Sequence, residues 1–294
     1  MKSLFFGGVH PDGHKDLSAG VPLAAMALPA QAAVLLRQHI GAPCQPLVAV
    51  GDTVCLGQKI GDGDGLCVPV HAPVSGVVTG IEDRPHPGGG TCPAILIKND
   101  FLDTPCPTMK PYSHPEALST AELVSIIREA GIVGMGGAAF PTDVKSKTGM
   151  SRTDTLILNA CECEPYITAD DVLLRARPAD VLRGVEIVAR ILSPGRVVIA
   201  LEDNKAQAAE VLKQQLKDFP GMELKVLPTR YPQGAEKQLI QAVTGRQVPS
   251  GGLPKDVGCT VFNAATAAAV YRAVYEGMPV IERIITVTGE GVKQ

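Results

Sequence analysis

The chain of 294 residues has no tryptophan, and aromatic residues make up only 4% of it. It has no basic surplus either, because 27 lysines and arginines face 30 acidic residues, so nothing indicates a nucleic-acid partner. Long apolar runs are also missing. The most apolar stretch, residues 20–36, is interrupted by Pro22 and Pro29 and is too short to span a bilayer. Residues 1–6 do not resemble a signal peptide, so at a membrane other subunits would have to hold the protein.

Cysteine pairs with the spacing of a metal cluster are absent. The eight cysteines are scattered and none forms a CxxC pair, which predicts a reduced, cytoplasmic chain without an iron–sulfur or zinc site. Cys161 and Cys163 are the closest pair. On one strand their thiols would share a face, where they either bind a metal weakly or act as structural thiols that line a pocket. We predict no metal ligands in this chain.

Histidine is absent after His114, which argues against a Ser/His or Cys/His hydrolase in the C-terminal part. Near the start, His10 and His14 are four residues apart, the spacing of a metal pair on a helix. Pro11 and Gly13 favour a loop there instead. We therefore expect these two histidines to have surface or packing roles.

The stretch most suggestive of chemistry is residues 131–165. Residues 134–139 (GMGGAA) form a glycine-rich loop whose backbone N–H groups can approach an anion closely, and Lys145 follows. The loop fits the GxGxxA form of the dinucleotide fingerprint, but that fingerprint requires a preceding strand. Here Ser119 and Glu122 form a capping box that predicts a preceding helix. The glycines are therefore either an anion-binding loop or an ordinary helix cap with a tight turn.

An apolar run at residues 155–158 (TLIL) predicts a short buried strand. It ends directly in Asn159, Glu162 and Glu164, where a buried strand delivers polar groups to a crevice. The alternative is a solvated turn after the strand. Further on, residues 231–241 predict a helix that begins near Gly234 and Glu236, and an alanine-rich helix follows Asn263.

The pattern between residues 48 and 97 is one of short β-runs separated by glycines. Residues 51–60 and 71–81 resemble the two halves of a lipoyl- or biotinyl-type barrel-sandwich domain. In such carriers a lysine between the halves is modified. Residues 61–70 contain no lysine, and Lys59 belongs to the preceding strand motif, so we expect a structural or docking module.

Four prolines between residues 101 and 119 predict an extended linker. Beyond it, helical and strand patterns alternate, which indicates a mainly parallel α/β sheet. The predicted fold class is therefore α/β plus β, with the barrel-sandwich domain first. Its parts are an N-terminal segment with the barrel-sandwich domain (1–100), a linker (101–118), an α/β domain (119–284) and the start of a β-grasp-like segment (285–294).

Two motifs carry a family resemblance: GMGGAAFPTDVK (134–145) and NACECEP (159–165). They resemble the flavin and NADH site of the NADH-binding subunit of respiratory complex I, and more closely the RnfC subunit of the Rnf ion-translocating oxidoreductases. The similarity extends from GGVHPDGHK (7–15) to ERIITVTG (282–289). It implies a Rossmann-like α/β domain that binds FMN and NAD(H).

The resemblance also implies roles for single residues. Glu162 and Glu164 would be the catalytic carboxylates where FMN and nicotinamide meet, and Phe140 would stack near the adenine of NADH. Asn159 would hydrogen-bond FMN. The other implied cofactor-binding residues are Gly134, Gly136, Gly137, Lys145, Gly234, Glu236, Asn263 and Thr266. Met135, Cys161, Cys163 and Ala235 depart from the complex I pattern.

The resemblance implies an electron-entry subunit that oxidises NADH through FMN and belongs to a membrane-bound ferredoxin:NAD oxidoreductase. Its partners would be NADH and the other subunits, and it would lie peripherally on the cytoplasmic side of the membrane. We expect the chain to be an N-terminal fragment, with 4Fe-4S clusters only in a missing C-terminal part. Alternatives are a soluble relative that serves a cobalamin or proline reductase, or a non-catalytic docking module with a vestigial nucleotide fold.

Overall fold

A computed structural model describes residues 7–292, which fold into two compact units. The α/β unit comprises residues 7–24, 148–268 and 284–292, and the barrel-sandwich unit comprises residues 25–147 and 269–283. Residues 119–147 thus fold with the barrel strands. The domain boundaries at residues 100, 118 and 284 stay a prediction.

Eleven strands lie within the described residues. They are β1 (Gln31–Leu35), β2 (Gln45–Pro46), β3 (Thr53–Val54), β4 (Lys59–Asp62), β5 (Val70–His71), β6 (Gly76–Pro85), β7 (Thr91–Asn99), β8 (Thr155–Ala160), β9 (Arg196–Glu202), β10 (Met222–Leu227) and β11 (Cys259–Asn263).

The α-helices are α1 (Asp16–Ala19), α2 (Thr120–Glu129), α3 (Thr142–Gly149), α4 (Ala169–Ala176), α5 (Pro178–Leu192), α6 (Ala206–Gln215), α7 (Glu236–Thr244) and α8 (Ala264–Tyr271). Short 3-10 helices span Pro115–Ala117, Leu216–Asp218 and Pro254–Val257, and a π-helical turn spans Arg272–Glu276. Within residues 7–292, no helix is both long and apolar enough to cross a membrane.

Two antiparallel sheets build the barrel-sandwich unit, with strand orders β1-β7-β6-β3 and β2-β4-β5. Side chains alternate between buried and exposed along β1, as expected for a strand with one face on a core. Ile60, Ile95 and Ile97 are fully buried in that core. Lys59 lies in β4 and pairs with Asp62 and Glu129, while the connection from β4 to β5 has no lysine. The predicted barrel-sandwich fold is confirmed.

The α/β unit contains the predicted parallel sheet, in the order β10-β9-β8-β11. The β8 residues 155–158 are all buried, which explains why the sequence shows a continuous apolar run rather than alternation. Helices α5, α6 and α7 connect successive strands, as the alternating pattern predicted. In the barrel-sandwich unit, the capping box of Ser119 and Glu122 does begin α2.

Helix α5 approaches α8 closely at one glycine. A Cβ atom added to Gly184 would lie 1.8 Å from the carbonyl oxygen of Ala267, a distance that no side chain tolerates. The absence of a side chain at this position lets the two backbones touch. Ala267 belongs to α8, which begins directly after Asn263, the last residue of β11.

Candidate functional site

Polar side chains gather at the carboxyl edge of the parallel sheet. Asn159 of β8 and Asn263 of β11 are register partners, and Glu202 is the last residue of β9. Glu162 and Lys205 follow the ends of their strands. We call Asn159, Glu162, Glu202, Lys205 and Asn263 the strand-end cluster. In open α/β sheets, ligands bind at this edge.

Asn159 and Gly234 are brought together, as expected if they serve one site. The Asn159 amide Nδ2 donates to the carbonyl oxygen of Gly234 at 2.8 Å, and its Oδ1 accepts from the N–H of Cys161 at 3.0 Å. A Cβ atom at Gly234 would lie 2.6 Å from the carbonyl oxygen of Cys161. This position therefore needs glycine because two backbone segments meet there. Glu236 begins α7 two residues later.

Asn263 caps the alanine-rich helix α8. Its Oδ1 accepts from the N–H groups of Ala265 at 2.9 Å and Thr266 at 3.3 Å, and its Nδ2 donates to Asp170 Oδ2 at 2.6 Å. Thr266 is buried on the same helix turn. The side chain of Asn263 thus fixes the start of α8 and links it to the start of α4.

Glu162 caps α4 from outside the helix. Its two carboxylate oxygens accept from the N–H groups of Asp170 at 2.7 Å and Asp171 at 3.1 Å, and the residue is 5% exposed. Burial, aided by the charge of Asp170, raises the pKa of Glu162 to about 7, although the N–H donors and Lys205 oppose the rise. The observed contacts of this carboxylate position a helix. Its predicted catalytic role stays a prediction.

Glu164 is exposed, and its backbone is held by a residue near the start of the chain. Lys15 Nζ donates to the carbonyl oxygens of Glu164 at 3.0 Å and Ile167 at 2.5 Å. His14 stacks on Tyr166 with ring centroids 4.8 Å apart, which supports the packing role expected for this histidine. Burial and the charge of Lys205 lower the pKa of Lys15. The sequence motif GGVHPDGHK did not predict this contact between Lys15 and the backbone of Glu164 and Ile167.

A buried ion pair completes the cluster. Lys205 Nζ lies 3.4 Å from Glu202 Oε2, and their side chains are 2% and 0% exposed. Burial raises the pKa of Glu202, and the charge of Lys205 opposes that rise. Sequence reasoning missed this pair, although an acidic residue that ends an apolar strand and a lysine three positions later are a recognisable signal.

Gln233 was also missed. Its side chain is fully buried, yet neither its Nε2 nor its Oε1 has a hydrogen-bond partner among residues 7–292. It immediately precedes Gly234, the partner of Asn159. A buried amide without partners costs about 1–3 kcal/mol, so such a group calls for a specific explanation.

Cys161 and Cys163 each have a partner of their own. The Cys161 thiol donates to the carbonyl oxygen of Ala200 at 3.7 Å, and the Cys163 thiol donates to Glu164 Oε2 at 3.8 Å. Burial raises the pKa of both thiols. These contacts favour the structural interpretation of the pair.

The glycine-rich loop belongs to the barrel-sandwich unit. Its ends are joined by a bridge between Val133 and Pro141, and Gly134 N–H donates to the Phe140 carbonyl at 2.8 Å. Gly137 has a φ of +117°, which glycine tolerates best, whereas a Cβ at Gly134 would make an ordinary contact. Exposed Gly136 lies between them, and Phe140 is half-buried.

The sequence did not predict that a helix follows this loop. Helix α3 begins at Thr142 and carries Lys145. A glycine-rich loop that leads into a helix N-terminus favours the anion-binding interpretation, although the N–H of Thr142 already donates to the carbonyl oxygen of Ile132 at 3.0 Å. The Asp143 carboxylate in the first turn is buried, and its Oδ1 has no hydrogen-bond partner among residues 7–292.

Comparison with protein families identifies both parts of the chain. Residues 3–102 match the family described as RnfC barrel sandwich hybrid domain, and residues 127–272 match the family described as Nuo51 FMN-binding domain. The chain therefore combines a barrel-sandwich hybrid domain with a domain of the FMN-binding type.

Curated relatives match nearly the whole chain. The subunit designated C in the Na⁺-translocating ferredoxin:NAD⁺ oxidoreductase complex of Acetobacterium woodii is 43% identical over 98% of the chain and 66% of its own length. The corresponding subunit of the proton-translocating complex of Clostridium ljungdahlii is 44% identical over 100% and 65%. That of the ion-translocating oxidoreductase complex of Klebsiella pneumoniae is 44% identical over 99% and 39%. The chain belongs to the RnfC family of Rnf complex subunits, and it spans slightly less than two thirds of the first two relatives.

Proposed function

We propose that this chain binds FMN and accepts electrons from NADH, as the electron-entry part of an Rnf-type ferredoxin:NAD oxidoreductase. The observation that carries the proposal is the unpartnered, fully buried amide of Gln233 beside the pair of Asn159 and Gly234. Such an amide offers both a donor and an acceptor, and the pyrimidine edge of a flavin carries both complementary groups. The residues present therefore fit FMN.

The strand-end cluster would hold the flavin ring. Asn159 and Asn263 would present amide groups to it, and Glu162 would keep the start of α4 in place. Glu164, whose side chain is exposed, would lie on the nicotinamide side. Thr266, Gly234 and Glu236 would complete the surroundings.

The glycine-rich loop and α3 have the chemistry for a phosphate group. Exposed Gly136 and Gly137 would offer backbone N–H groups, and Lys145 would add a charge-assisted contact. Gly134 would hold the loop closed through its hydrogen bond to Phe140. Phe140 would stack near the adenine of NADH.

Bound FMN would supply the hydride-accepting chemistry itself. The chain would contribute orientation, because hydride transfer requires donor and acceptor atoms in close and fixed geometry and needs no histidine base. The positions of Asn159 and Asn263 are fixed by their backbone hydrogen bonds, which suits that task.

Electron exit would occur outside these residues, because none of the eight cysteines has the spacing of an iron–sulfur cluster. The 4Fe-4S clusters and the membrane subunits would belong to other parts of the complex. The chain would then work peripherally on the cytoplasmic side of the membrane.

The test uses Gln233→Met, a substitution of similar volume that removes the amide. If the amide serves to bind FMN, the variant without cofactor should be about 1–2 kcal/mol more stable than the parent chain without cofactor, because an unpartnered buried amide is removed. FMN affinity should nevertheless fall about two- to tenfold, the value of one neutral hydrogen bond. Flavin fluorescence quenching measures affinity, and far-UV circular dichroism measures stability.

Gln207→Met is the matched control, because Gln207 is exposed on α6. It should leave both quantities unchanged. The proposal is wrong if the parent chain, reconstituted with FMN, shows no flavin absorption or if NADH does not bleach that absorption anaerobically. Unchanged FMN affinity in Gln233→Met would show that this amide does not bind FMN.

A further inference from the structure

Three metal-ligating side chains meet inside the barrel-sandwich unit. His39 follows β1, Cys44 immediately precedes β2, and Cys67 lies in the connection from β4 to β5. That connection is the place where carrier domains have their modified lysine. All three side chains are buried, with exposures of 7%, 3% and 4%.

Two distances between the ligand atoms match the edges of a coordination tetrahedron, and all three atoms lie within 4.8 Å of one another. Cys44 Sγ lies 3.6 Å from Cys67 Sγ, and Cys67 Sγ lies 3.7 Å from His39 Nε2. Zinc bonds of about 2.3 Å to sulfur and about 2.0–2.1 Å to nitrogen require about 3.8 Å between two sulfurs and about 3.6 Å between sulfur and nitrogen. A disulfide would need about 2.05 Å, so the cysteines are free thiols.

The histidine can adopt the tautomer that a metal requires. In the structure, the Val68 N–H lies 3.2 Å from His39 Nε2. With the ring proton on Nδ1, which lies 3.2 Å from the carbonyl oxygen of Ile40, Nε2 keeps the lone pair that would bind the metal. Metal-binding histidines usually donate their second ring N–H to a carbonyl or carboxylate in this way.

The ligand set selects a soft cation. Thiolate and imidazole suit zinc, whereas calcium and magnesium require oxygen ligands. Two thiolates and a neutral imidazole around a divalent cation make a centre without net charge, which a buried site tolerates. The carbonyl oxygen of Val68 lies 3.2 Å from Cys44 Sγ and from His39 Nε2, and could complete four-coordination.

We propose that His39, Cys44 and Cys67 bind one Zn²⁺ ion as a structural site of the barrel-sandwich unit. On binding, Zn²⁺ forms two bonds to sulfur and one to nitrogen, and the two thiol protons pass to solvent. No electron is transferred. The proposed site differs from the expectation of no zinc site, which rested on sequence spacing alone.

The test uses the full chain, reduced and stripped of metal. Titration with Zn²⁺ should give one tightly held ion per chain by elemental analysis and native mass spectrometry, and should raise the midpoint of thermal unfolding. Co²⁺ should give thiolate-to-cobalt charge transfer and the intense visible bands of a tetrahedral site. Cys44→Ser, Cys67→Ser and His39→Gln should each lose the ion or change these bands.

Cys92→Ser is the matched control, because Cys92 is a buried cysteine in β7 of the same unit. It should retain one ion. The Co²⁺ spectrum of the parent chain tests the site even if a ligand variant fails to fold. The proposal is overturned if the parent binds no Zn²⁺, if it binds only Cu⁺, or if Cys44 and Cys67 form a disulfide in the purified protein. Loss of the ion in Cys161→Ser/Cys163→Ser would also overturn it.

Discussion

Removing the charge of Glu162 should change how stability depends on pH. Its carboxylate is buried under the start of α4, and its pKa rises from the ordinary 4.5 to about 7. Between these two values the folded protein binds more protons than the unfolded chain, so stability should fall as pH rises. Above the raised pKa of Glu162, this loss of folding stability is complete.

The size of this loss follows from the pKa. One pKa unit corresponds to about 1.4 kcal/mol, so Glu162 should account for roughly 3 kcal/mol between about pH 4.5 and pH 8. Glu162→Gln has no such titration. It should be destabilised by about 1–3 kcal/mol at low pH, because one of the two N–H groups loses its acceptor. Toward pH 8 that deficit should shrink or reverse.

The assay is urea unfolding of parent and variant at several pH values, followed by far-UV circular dichroism because the chain has no tryptophan. Hydrogen exchange at the Asp170 and Asp171 amides reports the same change locally. Glu210→Gln is the control, since Glu210 is exposed on α6. If Glu162→Gln and the parent show the same pH dependence between pH 5 and pH 8, the assignment of a raised pKa is refuted.

Three further outcomes are expected. Lys145→Ala should weaken FMN binding about ten- to a hundredfold, because one charge-assisted contact is lost. Lys147→Ala in the same helix is the control and should leave FMN affinity unchanged. If equilibrium dialysis gives the same FMN affinity for Lys145→Ala and the parent, the role of Lys145 is wrong. Glu164→Gln should slow flavin bleaching by NADH in stopped flow while sparing FMN binding, and the opposite pattern would show that its role is wrong. The intact mass of protein from a native host should show no lipoyl or biotinyl group, because residues 61–70 lack lysine.

Sequence patterns predicted the helices and strands whose formation depends on neighbouring residues. The capping box of Ser119 and Glu122 begins α2, and the apolar run at residues 155–158 forms the buried β8. The parallel sheet followed from the alternation of patterns. Glycine-separated β-runs indicated short strands, and the resemblance of residues 51–60 and 71–81 to the two halves of a lipoyl- or biotinyl-type domain indicated the barrel-sandwich fold.

Elements stabilised by distant residues were missed. Helix α4 has no side-chain cap at Thr168, and Glu162 supplies the acceptors from the preceding loop. Helix α3 has no clear apolar face, because Asp143 and Ser146 are buried polar residues. Neither feature is visible as a periodic pattern.

Without the family resemblance, the strand-end cluster was predictable only where an apolar run leads directly into a polar residue. Asn159 follows an apolar run, so its position at the sheet edge could be inferred from sequence. The partner of Asn159, Gly234, lies 75 residues away, and nothing in the local sequence relates the two. The grouping of His39, Cys44 and Cys67 likewise depends on how β-strands pair, which spacing does not encode.

The contact between Gly184 and Ala267 sets a limit for protein engineering. Replacing a helical glycine with alanine is a common stabilising substitution, worth up to about 1 kcal/mol when the space is open. In this chain the new methyl group would meet backbone rather than a side chain that can rotate away. Thermostabilised versions of the domain should therefore leave residue 184 untouched, and deep mutational scanning should find it intolerant of every side chain.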